Sequence, residues 1–261
     1  MVEDSDSLAR YLRAQSAARD CLCSVAAELR PGCTEREAAR RLAEAASQAG
    51  ARGFFHSPLA WFGQRAAFRG VEGKGDLPPG DRKLEAGDVF VLDFAPLFDG
   101  VPGDVTLTFG PEPQRARARA ALSSMRAEIP RIVATAGTAR LAAERIADCA
   151  PEGWESRQEL YPFAAVGHRV WPGRWGLSRV ELLGASLDAL LRLGSRTLLS
   201  RASLVEYPYW SDRREAECEI GTGLWSVEPH IACGDLGAKW EELLLVSPDG
   251  VRWLDPISPL D

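Results

Sequence analysis

Two side-chain types are scarce in this chain of 261 residues. Histidine occurs three times (His56, His168, His230), and so does lysine (Lys74, Lys83, Lys239). Any chemistry that needs imidazole must therefore draw on those three positions. The other cations are arginines, and the 31 basic side chains are outnumbered by 37 acidic ones, for a net charge of −6. With no basic stripe, nucleic acid is not expected as a partner. Long apolar runs are also missing. None approaches the roughly 18 residues that would span a bilayer, so no membrane partner is expected. The opening MVEDSDSLAR is acidic and polar, unlike a secretory or transit leader. The six cysteines are scattered without a CxxC pair, as small apolar side chains are in a reducing compartment, and a cytoplasmic location is expected. What is present is length and 46% hydrophobic residues, enough to bury one sizeable core.

Periodicity organises that core. Leu8, Leu12, Ala18, Leu22, Val25 and Leu29 form a stripe that predicts a helix over 8–29, with Gln15 its one polar interruption. Pro31-Gly32 ends it, and Thr34-Glu35-Arg36-Glu37 has the spacing of a capping box for a second helix reaching about 48. Short strands are expected at 53–57 and 66–69. Then the period changes: 89–98 and 101–109 read as strands joined at Asp99-Gly100, a strong hairpin signal. Helices are expected again at 114–134, with a possible kink at Pro130, and at 138–149. They are followed by a strand at 159–166 leading into Gly167-His168, a helical segment at 180–203 that would cover a cavity mouth or pack on the surface, and strands at 224–232 and 238–246. The order helix, helix, strands, hairpin thus occurs twice. It predicts one domain, 1–261, of two pseudo-repeated halves at about 8–110 and 111–254.

Both hairpins carry acids where acids are costly. With a two-residue turn at Asp99-Gly100, Asp93 faces Thr106, and Asp104 is its diagonal neighbour on the same face, about 7–8 Å away. In the second hairpin Glu228 falls opposite Glu241, while Glu242 points the other way and reads as a solvated edge residue. Paired buried carboxylates repel and lose hydration, so two such hairpins facing each other call for cations. With one imidazole added, the set suits two divalent metal ions.

At these residues the chain resembles the pita-bread metallopeptidase superfamily of methionine aminopeptidases, aminopeptidase P, prolidase and creatinases. The segments Gly87–Phe94, Gly103–Phe109, Gly167-His168, Val227-Glu228-Pro229 and Trp240–Val246 are similar to its five metal motifs in order. The resemblance implies an α+β pita-bread fold of antiparallel strands backed by helices. It implies that Asp93 chelates one ion, His168 and Glu228 the other, and that Asp104 and Glu241 bridge them. The ions would be manganese, iron, cobalt or zinc, and Glu228 would also shuttle a proton. The activity implied is C–N bond hydrolysis by an aminopeptidase or Xaa-Pro peptidase-like enzyme, acting on a peptide or small-molecule substrate as a homodimer.

The chain departs from the peptidase pattern in its histidines. None lies between Val71 and Ala86, before the first metal strand, or between Arg169 and Trp175, after the histidine ligand. This favours an alternative: a non-peptidase member acting on a small metabolite, by creatinase-like hydrolysis or metal-centred chemistry in specialised metabolism. His230, two residues beyond Glu228 on a strand, should share the metal-facing side and is a candidate catalytic residue. His56, Trp61, Arg169 and Trp171 are candidates for substrate binding, as aromatic walls and an arginine suit a carboxylate or amide.

Overall fold

The computed structural model describes residues 5–170, 181–182, 185–186 and 207–260. Helix α1 (Ser5–Glu28) and helix α2 (Glu35–Gln48) come first. Thr34 and Glu37 form the expected capping box: the Thr34 hydroxyl accepts from the Glu37 N–H, and the Glu37 carboxylate accepts from the Thr34 N–H. Strands β1 (Leu59–Phe62), β2 (Phe90–Phe94) and β5 (Val105–Phe109) make an antiparallel sheet with β2 in the centre. Between β2 and β5 the short strands β3 (Leu97–Phe98) and β4 (Val101–Pro102) close on Asp99-Gly100. Both turn residues have positive φ, 47° and 72°, as the tightest hairpin turn requires. The register is the one expected, with Asp93 opposite Thr106.

Helices α3 (Gln114–Thr135), which runs on through Pro130, and α4 (Ala139–Asp148) follow, then the short strand β6 (Glu155–Ser156) and strand β7 (Ala165–Val170). Strands β8 (Glu181–Leu182) and β9 (Ala185–Ser186) pair with each other. A five-stranded antiparallel sheet is built from β10 (Tyr209–Ser211), β7, β11 (Gly223–Val227), β14 (Glu242–Ser247) and β15 (Gly250–Trp253), in that order. A third sheet joins β13 (Leu236–Lys239), β12 (His230–Cys233) and β6. The helices pack their apolar stripes onto these sheets: Leu22, Val25, Leu42, Leu122, Met125, Ile129 and Ile146 share one core with Phe62, Leu92, Trp225 and Leu244. No helix among the described residues is long and apolar enough to cross a membrane.

Three expectations change. The first strand lies at 59–62, since 53–57 makes only isolated bridges, at Phe54 (to Pro96) and at His56, and Gly63–Ala67 is a 3₁₀ turn closed by Phe68 at φ 55°. The strand expected at 159–166 starts later. Gln158–Leu160 and Pro162–Ala164 are 3₁₀ turns, which places His168 inside β7. In the segment expected to be helical at 180–203, the described residues 181–182 and 185–186 form a β ladder, and the rest lies outside the described residues.

Two contacts fix where the first half meets its opening helix. Gly103 lies so close to the Ala14 carbonyl that a Cβ there would overlap it. Gln15, the polar interruption of the α1 stripe, donates its side-chain amide to the Asp104 backbone carbonyl at 2.6 Å.

Candidate metal centre

The two acidic hairpins meet along strand β5. The Glu241 N–H donates to the Thr106 carbonyl at 3.1 Å, and the Thr108 hydroxyl donates to the Lys239 carbonyl at 2.8 Å while accepting from the Lys239 N–H at 2.8 Å. Glu228 and Glu241 sit at the breaks between β11 and β12 and between β13 and β14, in the register that sets them opposite one another. Strand β7 lies beside β11 and brings in His168, paired with Ser226. Five strand segments, β2, the start of β5, β7 and the β11/β12 and β13/β14 breaks, thus deliver Asp93, Asp104, His168, Glu228 and Glu241 to one place.

The cluster has two unlike flanks. On one, Asp104, His168 and Glu241 each offer a ligand atom, all within 4.8 Å of one another. His168 Nε2 is 3.2 Å from Asp104 Oδ2 and 3.7 Å from Glu241 Oε1. Asp104 Oδ2 and His168 Nδ1 are buried without a hydrogen-bond partner among the described residues. The orphaned Asp104 Oδ2, converging with His168 Nε2 and Glu241 Oε1, fits a divalent cation; His168 Nδ1 lies on the far side of the ring, and Asp93 Oδ1 is a further buried oxygen without a hydrogen-bond partner among the described residues. Glu241 is oriented from behind, its carboxylate accepting from Ser226 Oγ at 2.8 Å and from Thr106 Oγ1 at 3.0 Å, the outer-shell support that ligating carboxylates need.

The other flank is already occupied by a cation. Lys239 Nζ lies 2.6 Å from Asp93 Oδ2 and 2.9 Å from Glu228 Oε2, and donates to Thr106 Oγ1 at 3.2 Å. The residue has no solvent exposure, and the Tyr161 ring covers the ammonium with its centroid 5.0 Å away.

Electrostatics follow the same division. For Asp104, burial works to raise the carboxyl, but the His168 and His56 imidazoles prevail and hold it down to about 2. Burial likewise opposes protonation of His56, yet the Asp104 hydrogen bond and the charges of Asp93, Asp104 and Glu241 push it up to about 10. Glu228 is pushed up to about 7, mainly by burial, with Lys239 pulling the other way. A site that draws protons this strongly onto its imidazoles is one that favours a positive ion.

A family model for metallopeptidase family M24 matches residues 9–170, more than half of the chain and a span that includes Asp93, Asp104 and His168. The chain belongs to this M24 family. Among solved structures it is similar to an X-Pro aminopeptidase from Thermotoga maritima MSB8 (18% identity, TM-score 0.66, covering 99% of this chain and 63% of that one). It is also similar to the dipeptidase PepE from Mycobacterium ulcerans (22%, 0.64, 99% and 60%) and to a prolidase from Pyrococcus furiosus (17%, 0.61, 98% and 65%). The M24 chain thus spans less than two thirds of the length of these relatives. Their shared architecture is the α+β pita-bread fold that the five motifs implied. No curated protein sequence matches the chain.

The remaining candidates separate clearly within this M24 chain. His56 is drawn into the cluster: its Nε2 lies 3.2 Å from Asp104 Oδ1 and 3.4 Å from Asp93 Oδ1, and its side chain is 24% exposed. It therefore touches the carboxylates themselves, more closely than a substrate-binding position required. His230 stands on the expected side, across the ladder from Lys239, but its ring does not reach the carboxylates as a catalytic group would. Nε2 bonds the Ala66 carbonyl at 2.7 Å and Nδ1 bonds the Tyr161 hydroxyl at 2.8 Å. Since a carbonyl can only accept, Nε2 carries the hydrogen and Nδ1 accepts from tyrosine. Trp61 is fully buried, stacked on His230 and donating to the Leu77 carbonyl, so it walls the core and no cavity. Arg169 points to the face of β7 opposite His168, where its guanidinium bonds the carbonyls of Gly221 and Thr222 and lies over Trp225; it braces β11 and does not reach the cluster. Trp171 lies outside the described residues. Glu242 is buried and takes a two-pronged pair of 2.7 Å bonds from Arg126 on α3, unlike the solvated residue expected.

Lys239 is the functional residue that sequence reasoning missed. Its signal was present: one of three lysines in an arginine-rich chain, two residues before Glu241 and so on the same face of an extended strand.

Proposed function

We propose that this protein is a metal-dependent hydrolase that cleaves a C–N bond. The observation that carries the reading is the convergence of Asp104, His168 and Glu241, with Asp104 Oδ2 buried and without a hydrogen-bond partner among the described residues. These three residues would hold the ion. When bound, a divalent ion supplies the positive charge that polarises an amide carbonyl and acidifies a nearby water. The chain's own residues do the rest. Ser226 and Thr106 fix the Glu241 carboxylate, and His56 steadies Asp104 from the opposite edge. Glu228, pushed up to about 7, is poised to take a proton from the attacking water and return it to the departing nitrogen near neutral pH.

Aminopeptidase or Xaa-Pro peptidase-like action is the first substrate class to test, with manganese and iron the first ions. The expected working form is a cytoplasmic homodimer. A second reading, hydrolysis of a small metabolite, is favoured by one observation. All three histidines are committed, to the cluster (His56, His168) or to the core (His230), which leaves none to bind a peptide substrate. Loading the chelator-stripped protein separately with manganese, iron, cobalt or zinc and assaying dipeptides, Xaa-Pro peptides and small amides divides the readings. Turnover of peptides, abolished in Asp104→Ala, supports the first, and turnover of small amides alone supports the second. No turnover of any amide and no bound metal would sink both.

A further inference from the structure

The family arrangement gives Asp93 and Glu228 a share in holding cations. In this chain both already have one. We propose that the Lys239 ammonium permanently replaces one of the two cations, so that each chain binds a single divalent ion, at Asp104, His168 and Glu241. This rests on the metal-hydrolase reading and sharpens it.

The argument is one of geometry and charge. An ammonium has three donors and no acceptor. Lys239 Nζ has three oxygens in reach: Asp93 Oδ2 at 2.6 Å, Glu228 Oε2 at 2.9 Å and Thr106 Oγ1 at 3.2 Å. A metal ion on the same carboxylate oxygens would sit about 2.0–2.2 Å from each. That position overlaps the nitrogen, and two cations cannot share it. The ammonium has no simple way out, because the residue has no solvent exposure, the Tyr161 ring covers it, and its backbone is tied to Thr108 on β5. Nor do the two flanks compete for the same oxygens. Nζ is 3.9 Å from Glu241 Oε2, whereas Glu241 Oε1 faces His168. Asp104, the other residue expected to bridge, has its Oδ2 against His168 and its Oδ1 against His56. One divalent ion and one ammonium together offset three of the four carboxylate charges. A tethered cation has one property that a second ion lacks: it cannot be exchanged or chelated away.

The test is a count of ions. Full-length protein, stripped with chelator and equilibrated with buffered manganese alone, should hold one ion per chain by elemental analysis and show the electron paramagnetic resonance signal of an isolated ion. Two ions per chain with a spin-coupled signal would overturn the inference and leave the hydrolase reading standing. No ion at all would overturn both. Asp93→Asn should leave the count at one, and Asp104→Ala should reduce it to zero; loss of the ion in Asp93→Asn would place Asp93 in the metal site and refute the assignment. Lys239→Met should raise the count to two, and a count still at one would show that the lysine is not what excludes the second ion. Should Lys239→Met fail to fold, the wild-type count and the Asp93→Asn count decide the matter without it.

Discussion

The two flanks of the carboxylate cluster resolve the same electrostatic problem in opposite ways. Around Asp93 and Glu228 the counter-charge is covalently part of the chain, fully buried and hydrogen-bonded. Around Asp104, His168 and Glu241 the chain's ammonium stands back, 3.9 Å from Glu241 Oε2, and Asp104 Oδ2 is left without a hydrogen-bond partner among the described residues, as Asp93 Oδ1 is on the other flank. The first flank is arranged to be stable by itself and the second to be completed from outside. A fold can therefore keep a full set of acidic family residues while changing what some of them do. The identity of one neighbour two residues along a strand decides whether a carboxylate is a ligand or an ion-pair partner.

This contrast can be broken from either side, and the largest effect is expected on the open flank. Asp104→Ala or His168→Ala removes a direct ligand and should weaken metal binding by more than the roughly 10–100-fold typical of outer-shell changes, measured by isothermal titration with manganese. On the closed flank, Lys239→Met strands Asp93 and Glu228 as unpaired buried acids. It should cost about 3–5 kcal/mol of stability in denaturant titrations done with chelator present, and the same variant should regain stability when divalent ions are added. A cost below about 1 kcal/mol would show that the pair is not structurally important.

His230, which backs Lys239 through Tyr161, makes the closed flank acid-sensitive. Its ring is held down to about 3, mainly by burial, with the Ala66 bond opposing and Lys239 and Arg157 adding repulsion. Below its ordinary value near 6.5 the unfolded chain takes up a proton that the folded chain refuses. This contribution to stability is therefore complete above about pH 6.5 and lost as pH falls towards 3, by at most about 1.4 kcal/mol per pH unit. The metal-free protein should lose about 2 kcal/mol between pH 7 and pH 5 from this group, and His230→Gln should flatten that part of the profile. The smallest effect is expected from Ser226→Ala, which removes one hydrogen bond to Glu241. Metal affinity should fall about tenfold with the circular dichroism spectrum unchanged.

Much of this was legible in the sequence, for reasons that can be named. The Asp99-Gly100 turn fixes the register that puts Asp93 opposite Thr106, and alternation along strands then places every acid on a known face. The starts of α2 and α4 were equally readable because Thr34 and Thr138 cap them with side chains of the expected type. The late start of β7 was not readable. Phe163 and Ala164 both adopt positive φ, 62° and 52°, and turn the chain without a glycine to announce it. The roles of Trp61 and Arg169 depend on which side of a strand is core. Arg169, adjacent to His168, must point away from whatever His168 faces, so the alternation that located the acids also argues against it. The pairing of Lys239 with Asp93 spans 146 positions and arises only when β13 docks against β5, a tertiary contact that no local pattern encodes.

The amide of Gln15 on the Asp104 carbonyl has a further consequence. It couples a residue in the third turn of α1 to the peptide unit of a proposed metal ligand 89 positions later, with Gly103 allowing the helix to approach. Ion binding and docking of α1 are therefore thermodynamically linked: whatever loosens the opening helix should lower affinity at the cluster, and occupancy of the cluster should in turn protect the amides of α1 from solvent exchange. The amino-terminal helix then serves as a gauge, readable by hydrogen exchange, of whether the distant site is filled.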